Sequence, residues 1–305
     1  LHALGLCPEA YSNFGERMAE LGMDTTAVEV RGFGATRNRP GYEDMDPEET
    51  VGDLVKLLQG IREREPNKKI FLIGESMGGA LAIRVAATHP ELVDGIACSA
   101  PAWQLHKIRR ILAKGICDLF TGVGVYRLND IKYSAEAVIR QATSSPEVRQ
   151  HWRKDGMTKL GLKIPEAWRY YQFMKTTPGS AEKISGVPIL IVQGLKDRLS
   201  KAHGAAELYS KLTTSQKQLA IVGNREHLVF EEGMMTDETA EFVQHWVLRQ
   251  MAEQSARKDD FEIEPIVVLG SNKLSSADKK KLQELVKLSG ATPKHLAITK
   301  PPVRE

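Results

Sequence analysis

Cysteine is scarce in this chain. Cys7, Cys98 and Cys117 are the only three in 305 residues, irregularly spaced and without a C-x-x-C pair, which excludes a disulfide framework and a zinc site of that kind. They read as buried thiols in a reducing compartment, with the cytoplasm as the expected location and no metal. No apolar run approaches the ~18 to 20 residues of a membrane-spanning helix. An excess of one charge is lacking too: 42 basic and 39 acidic residues leave a formal +3, too little to imply nucleic acid or another polyanion as partner. No internal repeat is present. The sequence opens on Leu1 in LHALGL and not on Met; it reads as the end of a strand entering a loop, so the expectation is a truncated or processed product whose targeting signals lay upstream.

What is present is an α/β rhythm. The apolar runs 26-TAVEV-30, 70-IFLI-73, 92-LVDGIACSA-100, 187-VPILIVQG-194 and 217-KQLAIVG-223 are predicted strands, and the Val/Ile/Leu-rich ones look buried on both faces, as central parallel strands are. Between them lie predicted helices. The stretch 46–65 opens with Asp46 as N-cap, Pro47 and acids in the first turn, and stops before Pro66. Others run from Met77 to about Thr88 and from about Thr236 to Met251. The length suits one main domain with appendages.

The rhythm fails between Ala102 and about Lys183, where no strand is predicted. An apolar stripe along 104–120 and later segments rich in Trp152, Trp168, Tyr170, Tyr171 and Phe173 read as an inserted helical cap at about 102–183 of a domain spanning 1–251. Residues 252–305 read as a C-terminal extension of unknown role: a polar linker, a short apolar run Ile266–Leu269 and a basic helix 275–290 opened by Ser275 and Asp278. A solvated, partly ordered appendage is the expectation there.

The chemistry centres on 70-IFLIGESMGGALAI-83. A serine hydroxyl reacts only when exposed, fixed and deprotonated by a neighbour. In strand-G-x-S-x-G-helix, Ser76 occupies a tight turn whose glycine flanks keep side chains from colliding. The base is expected on a loop after the last core strand, where His227 follows the strand ending at Val222; His89, His106, His151, His203 and His245 fall in predicted helices or the cap. The acid is expected after 187–194, where Asp197 stands, with capping of the next helix as its alternative use. The alternative site for the acid, after Ser99, has no carboxylate, and Glu226 adjoins His227 on an extended loop where neighbouring side chains point apart. The oxyanion requires two backbone N–H donors, Met77 and, from the loop 2-HALGL-6, Leu4.

These residues resemble the α/β-hydrolase superfamily, and more closely its monoglyceride lipase and lysophospholipase-like, serine aminopeptidase-type branch. The likeness rests on GESMGG at 74–79, on 187-VPILIVQGLKDRLS-200, on the turn from Gly223 to His227 and on 31-RGFG-34, and spans about Leu1 to Met251. It implies an α/β-hydrolase fold, no cofactor, and cleavage of carboxylic esters, often monoacylglycerols or other single-chain lipids, through an acyl-enzyme. Two departures stand out. Ala3 follows His2 where the family usually has glycine, which restricts the backbone near Leu4. The family also has strands before this loop that this sequence lacks, and the expectation is lowered stability and association through unpaired sheet edges unless that segment is supplied elsewhere.

Thioesterase, peptidase or acyltransferase action could use the same residues, and a hydrolase fold can also serve as a non-catalytic ligand-binding protein. The expected partner is a small acyl ester. The basic cap stretch offers a face for a lipid surface, with an ordinary solvated charged face as the alternative.

Overall fold

The structure, a computed structural model, describes residues 1–104, 135–154, 162–253, 266–270, 274–290 and 296–298. Along the chain come α1 (Ser12–Ala19), α2 (Pro47–Arg64), β1 (Phe71–Glu75), α3 (Met77–Thr88), β2 (Gly95–Ser99), α4 (Ala135–Ala142), α5 (Pro146–Lys154) and α6 (Ile164–Ala181). There follow β3 (Ile189–Gly194), α7 (Ala202–Lys211), β4 (Lys217–Val222), α8 (Asp237–Glu253), β5 (Ile266–Leu269), α9 (Ser276–Leu288) and β6 (Leu296–Ile298). The six strands form one parallel sheet in chain order.

Side chains alternate along each strand, so an all-apolar strand feeds two cores. Ile96, Cys98, Ile189, Ile191, Leu219 and Ile221 project to one face, where they join apolar side chains of α2, α3, α7 and α9. Ala97, Leu190, Val192, Ala220 and Val222 project to the other, packed with Phe14 and Met18 of α1 and Val243, Trp246 and Val247 of α8. The helix ends follow their local chemistry. The Asp46 carboxylate accepts from the Glu48 and Glu49 amides at 3.1 and 3.2 Å at the head of α2, and Ser275 and Asp278 form the reciprocal box opening α9.

Two expectations fail. The segment 26-TAVEV-30 forms no strand. A strand exists only through its neighbours, and here Thr26 and Ala27 are exposed, Val28 and Glu29 half-buried, and the Val30 amide donates to the His2 ring, 2.9 Å away, and not to a neighbouring strand. The described part of the C-terminal segment is not a solvated appendage. β5 pairs with β4 from Leu219↔Ile266 to Val222↔Leu269, all four of its residues are buried, and α9 buries Leu282, Leu285 and Val286. These strands extend the β4 side of the sheet. The opposite side, along β1, is met by Leu1, whose nitrogen donates to the Ile73 carbonyl at 2.6 Å and whose carbonyl accepts from the Glu75 amide at 3.1 Å, the pattern of a parallel pair.

Between β2 and β3 the described residues contain helices and no strand; from residue 105 onward, the predicted stripe at 104–120 lies outside the described residues. The start of α6 is tied to the loop before α2 by Glu166, which is fully buried. Its carboxylate accepts from the Met45 amide at 2.7 Å and the Lys163 amide at 2.6 Å and pairs with Arg37 at 3.3 Å. Glu166→Ala strands these donors, and we expect a loss of about 3 kcal/mol of stability in urea denaturation; a change under about 0.5 kcal/mol would show the tie to be idle.

Candidate active site

β1 ends at Glu75 and α3 begins at Met77, so Ser76 alone turns the chain from strand to helix. Its φ of 53° lies in the left-handed region, a strained setting for a side chain that must stand clear of the sheet. Space explains the flanking glycines. A Cβ on Gly74 would come within 2.3 Å of the Gly78 carbonyl oxygen, and one on Gly78 within 2.3 Å of the Leu1 carbonyl oxygen. Leu1 thereby brings the 1–6 loop directly against the elbow.

Asp197 lies just past β3. Its Oδ1 accepts from the Leu199 and Ser200 amides at 2.8 and 2.9 Å, and its Oδ2 accepts from Gln193 Nε2 at 3.0 Å and from the Ser200 hydroxyl. The carboxylate does not cap α7, whose N-cap is Lys201 with no side-chain bond. Burial pushes Asp197 toward its neutral form, but the charge on His227 and hydrogen bonds from His227, Ser200 and Gln193 outweigh it and lower its pKa to about 2.

His227 is buried and joins the other two. Nδ1 lies 2.9 Å from Asp197 Oδ2 and Nε2 lies 2.9 Å from Ser76 Oγ. With Asp197 ionised, Nδ1 carries the proton and Nε2 faces the serine hydroxyl as acceptor. Burial disfavours the imidazolium, yet the Asp197 charge and hydrogen bond and the Glu75 charge raise the His227 pKa overall. Glu226, the neighbour in sequence, turns away to the Ser144 amide at 2.6 Å and Arg198 at 2.9 Å. The Asp197 and His227 loops also meet through backbone: a Cβ at Gly194 would fall 1.9 Å from the Glu226 carbonyl oxygen.

Met77 is the first residue of α3, where an amide has no partner within the helix. Leu4 sits on the loop that abuts the elbow. Among the described residues neither amide meets a protein acceptor. His2 braces this loop: burial lowers its pKa to about 4, so it is neutral, its Nδ1–H reaching the Ala3 carbonyl at 2.9 Å and its Nε2 accepting from Val30. The left-handed residue of this loop is Gly5, with φ 85°, and Ala3 needs no glycine's freedom.

Sequence reasoning missed several neighbours. Gln193 and Ser200 flank Asp197 closely enough that a D-x-x-S turn was legible. Tyr11 carried no signal, and Tyr170 stood out only as one of the aromatic residues of the cap. Tyr170, on α6, faces Ser76; burial raises its hydroxyl pKa and contact with the serine side chain offsets part of the rise.

A parallel sheet layered between helices, with a serine at a strand-to-helix elbow and an acid and a histidine after later strands, has the α/β-hydrolase fold. The chain belongs to the serine aminopeptidase S33 family, whose model matches residues 1–233. It is 26% identical over 245 residues to a monoacylglycerol lipase of Mycolicibacterium smegmatis, an alignment covering 77% of this chain and 83% of that protein. Among solved structures, the monoacylglycerol lipase of Paleococcus ferrophilus superposes with a TM-score of 0.67 at 21% identity, covering 82% of this chain and 93% of that one. A soluble variant of the monoglyceride lipase from Saccharomyces cerevisiae, in complex with a substrate analog, gives 0.66 at 17% identity, covering 85% and 86%. No described helix is long and apolar enough to cross a membrane.

Proposed function

We propose that this protein is a serine hydrolase of carboxylic esters, acting on monoacylglycerols or other single-chain acyl esters. The observation that carries the reading is the continuous hydrogen-bonded line from Asp197 through His227 to Ser76; the substrate class follows the lipases that the chain resembles. His227 Nε2 takes the Ser76 proton as Oγ attacks the ester carbonyl, and the Leu4 and Met77 amides receive the oxyanion. Collapse expels the alcohol, which takes its proton from His227. Water, deprotonated by the same imidazole, then releases the fatty acid and restores the serine. Asp197 holds the tautomer and stabilises the transient imidazolium.

Residues 1–251 form the hydrolase domain in this reading, with the 102–183 block as a cap that walls the acyl pocket; the approach of Tyr170 to Ser76 supports this. Within the 252–305 extension, the described strands β5 and β6 continue the sheet beyond β4. A cytoplasmic location suits the free thiols of Cys7 and Cys98. Contact of the cap with a lipid surface would rest on 104–120, which lies from 105 onward outside the described residues.

The test is hydrolysis of a monoacylglycerol chain-length series beside p-nitrophenyl esters. Long-chain monoacylglycerols should be cleaved, and a preference confined to acetyl esters would sink the lipid assignment. The pH profile adds a second reading. The base works only when neutral, and His227 is raised above its ordinary 6.5, so kcat/KM should fall with acid through a midpoint above 6.5. A midpoint below that value would contradict the paired geometry.

A further inference from the structure

Glu75, the residue between the glycine and the serine of the elbow, is fully buried beside the reacting groups, yet the mechanism above gives it no step. Its carboxylate is well supplied with donors. Oε1 accepts from the Val229 amide at 2.6 Å and the Phe230 amide at 3.0 Å, both on the loop that carries His227. Oε2 accepts from the Tyr11 hydroxyl at 3.0 Å, and the Tyr11 hydroxyl oxygen accepts in turn from the Ala3 amide at 3.1 Å, on the loop that carries Leu4. The Glu75 amide also donates to the Leu1 carbonyl. One side chain therefore bonds the histidine loop directly and the oxyanion loop through Tyr11, and it does so from the residue adjoining the nucleophile.

We propose that Glu75, acting with Tyr11, is a positioning residue that fixes the histidine loop and the oxyanion loop to the serine elbow as one unit. The inference rests on the ester-hydrolase reading for its kinetic part. The donors are all of the kind that stabilises a carboxylate, while burial opposes ionisation and raises the Glu75 pKa. A buried anion at this place also favours the imidazolium that forms during catalysis. His227 is faced by Asp197 and Ser200 from the loop after β3, by Glu75 and Ser76 from the end of β1, and Tyr170 from α6 faces Ser76. Glu231 interacts with Glu75, and Lys281 of α9 with Asp197.

The variants are Glu75→Gln, which keeps shape and removes the charge, and Tyr11→Phe, which keeps the ring and cuts the link to Ala3. With kcat counted per site titrated by a fluorophosphonate, Glu75→Gln should lower it ~10- to 100-fold with KM within ~3-fold, and move the acid limb of kcat/KM to lower pH. Tyr11→Phe should lower kcat ~3- to 10-fold, and the double variant should lose no more than ~2-fold beyond Glu75→Gln alone, because both cut one chain of bonds. A Glu75→Gln protein that melts lower but keeps the parental kcat per site and acid limb would make the residue merely structural and overturn the proposal; so would losses that multiply in the double variant. Hydrogen exchange reads the coupling without catalysis. Glu75→Gln should speed exchange at Val229, Phe230 and Ala3 together, and unchanged rates at Ala3 would overturn it even in a parent that proved inactive on esters.

Discussion

Replacing Ser76 with alanine should abolish fluorophosphonate labelling and lower ester hydrolysis by ~10⁴- to 10⁶-fold, while leaving the fold and its stability nearly unchanged. The size follows from the chemistry. Without Oγ no acyl-enzyme forms, and what remains is the stabilisation of an oxyanion attacked by water. The stability should hold because alanine inherits the same backbone, φ 53° included, and Ser76 is the N-cap of α3 without making a side-chain capping bond. His227→Ala should match the serine variant, since either loss disables the same step. Labelling and kcat/KM measured on folded protein decide it: a Ser76→Ala chain that still labels or turns over near the parental rate would remove Ser76 from the reaction. A parent that never labels would remove the hydrolase reading itself.

Ending the chain after Glu253 should be nearly as severe, through folding. β4 loses its partner β5, so Leu219 and Ile221, both at most 1% exposed, lose apolar cover, and a bare parallel edge is left open to association. Full burial of one such side chain is worth ~1.5 to 3 kcal/mol, against a total stability of ~5 to 15 kcal/mol for a typical domain. The site suffers as well. The Gly223 amide at the head of the histidine loop donates to the Leu269 carbonyl at 2.9 Å, and Lys281 of α9 donates to the Leu195 carbonyl on the acid loop. The expected result is an aggregating or non-cooperative chain with no turnover. A soluble 1–253 chain with cooperative unfolding and kcat/KM within about 3-fold of the parent would show that β5, α9 and β6 are dispensable. The family match ends at residue 233, before β5, α9 and β6.

Local chemistry made much of this legible beforehand. Asp46-Pro47 and the Ser275–Asp278 pair announced their helices because caps act within one turn. The strands at 71–75, 95–99, 189–194 and 217–222 announced themselves because a strand covered on both faces is mostly apolar along its length. The elbow was equally plain, since a serine at a left-handed turn between a strand and a helix needs glycines that the string displays. Asp197 and His227 were found by their order after successive strands. Their approach to Ser76 within hydrogen-bonding distance was not in the string at all.

The misreadings share one cause. 26-TAVEV-30 has strand composition but no neighbour to pair with, and Ile266–Leu269 reads as part of a solvated extension although β4 lies beside it. By itself the sequence determined most of the elements, the elbow and the kinds of residue available for chemistry, because propensity, capping and steric demand act over a few residues. Tertiary structure alone decided that Glu75 would bind Val229 and Tyr11, that Tyr170 would face Ser76, and that the C-terminal strands would complete the sheet. These depend on contacts between segments tens to hundreds of residues apart, which no local pattern encodes.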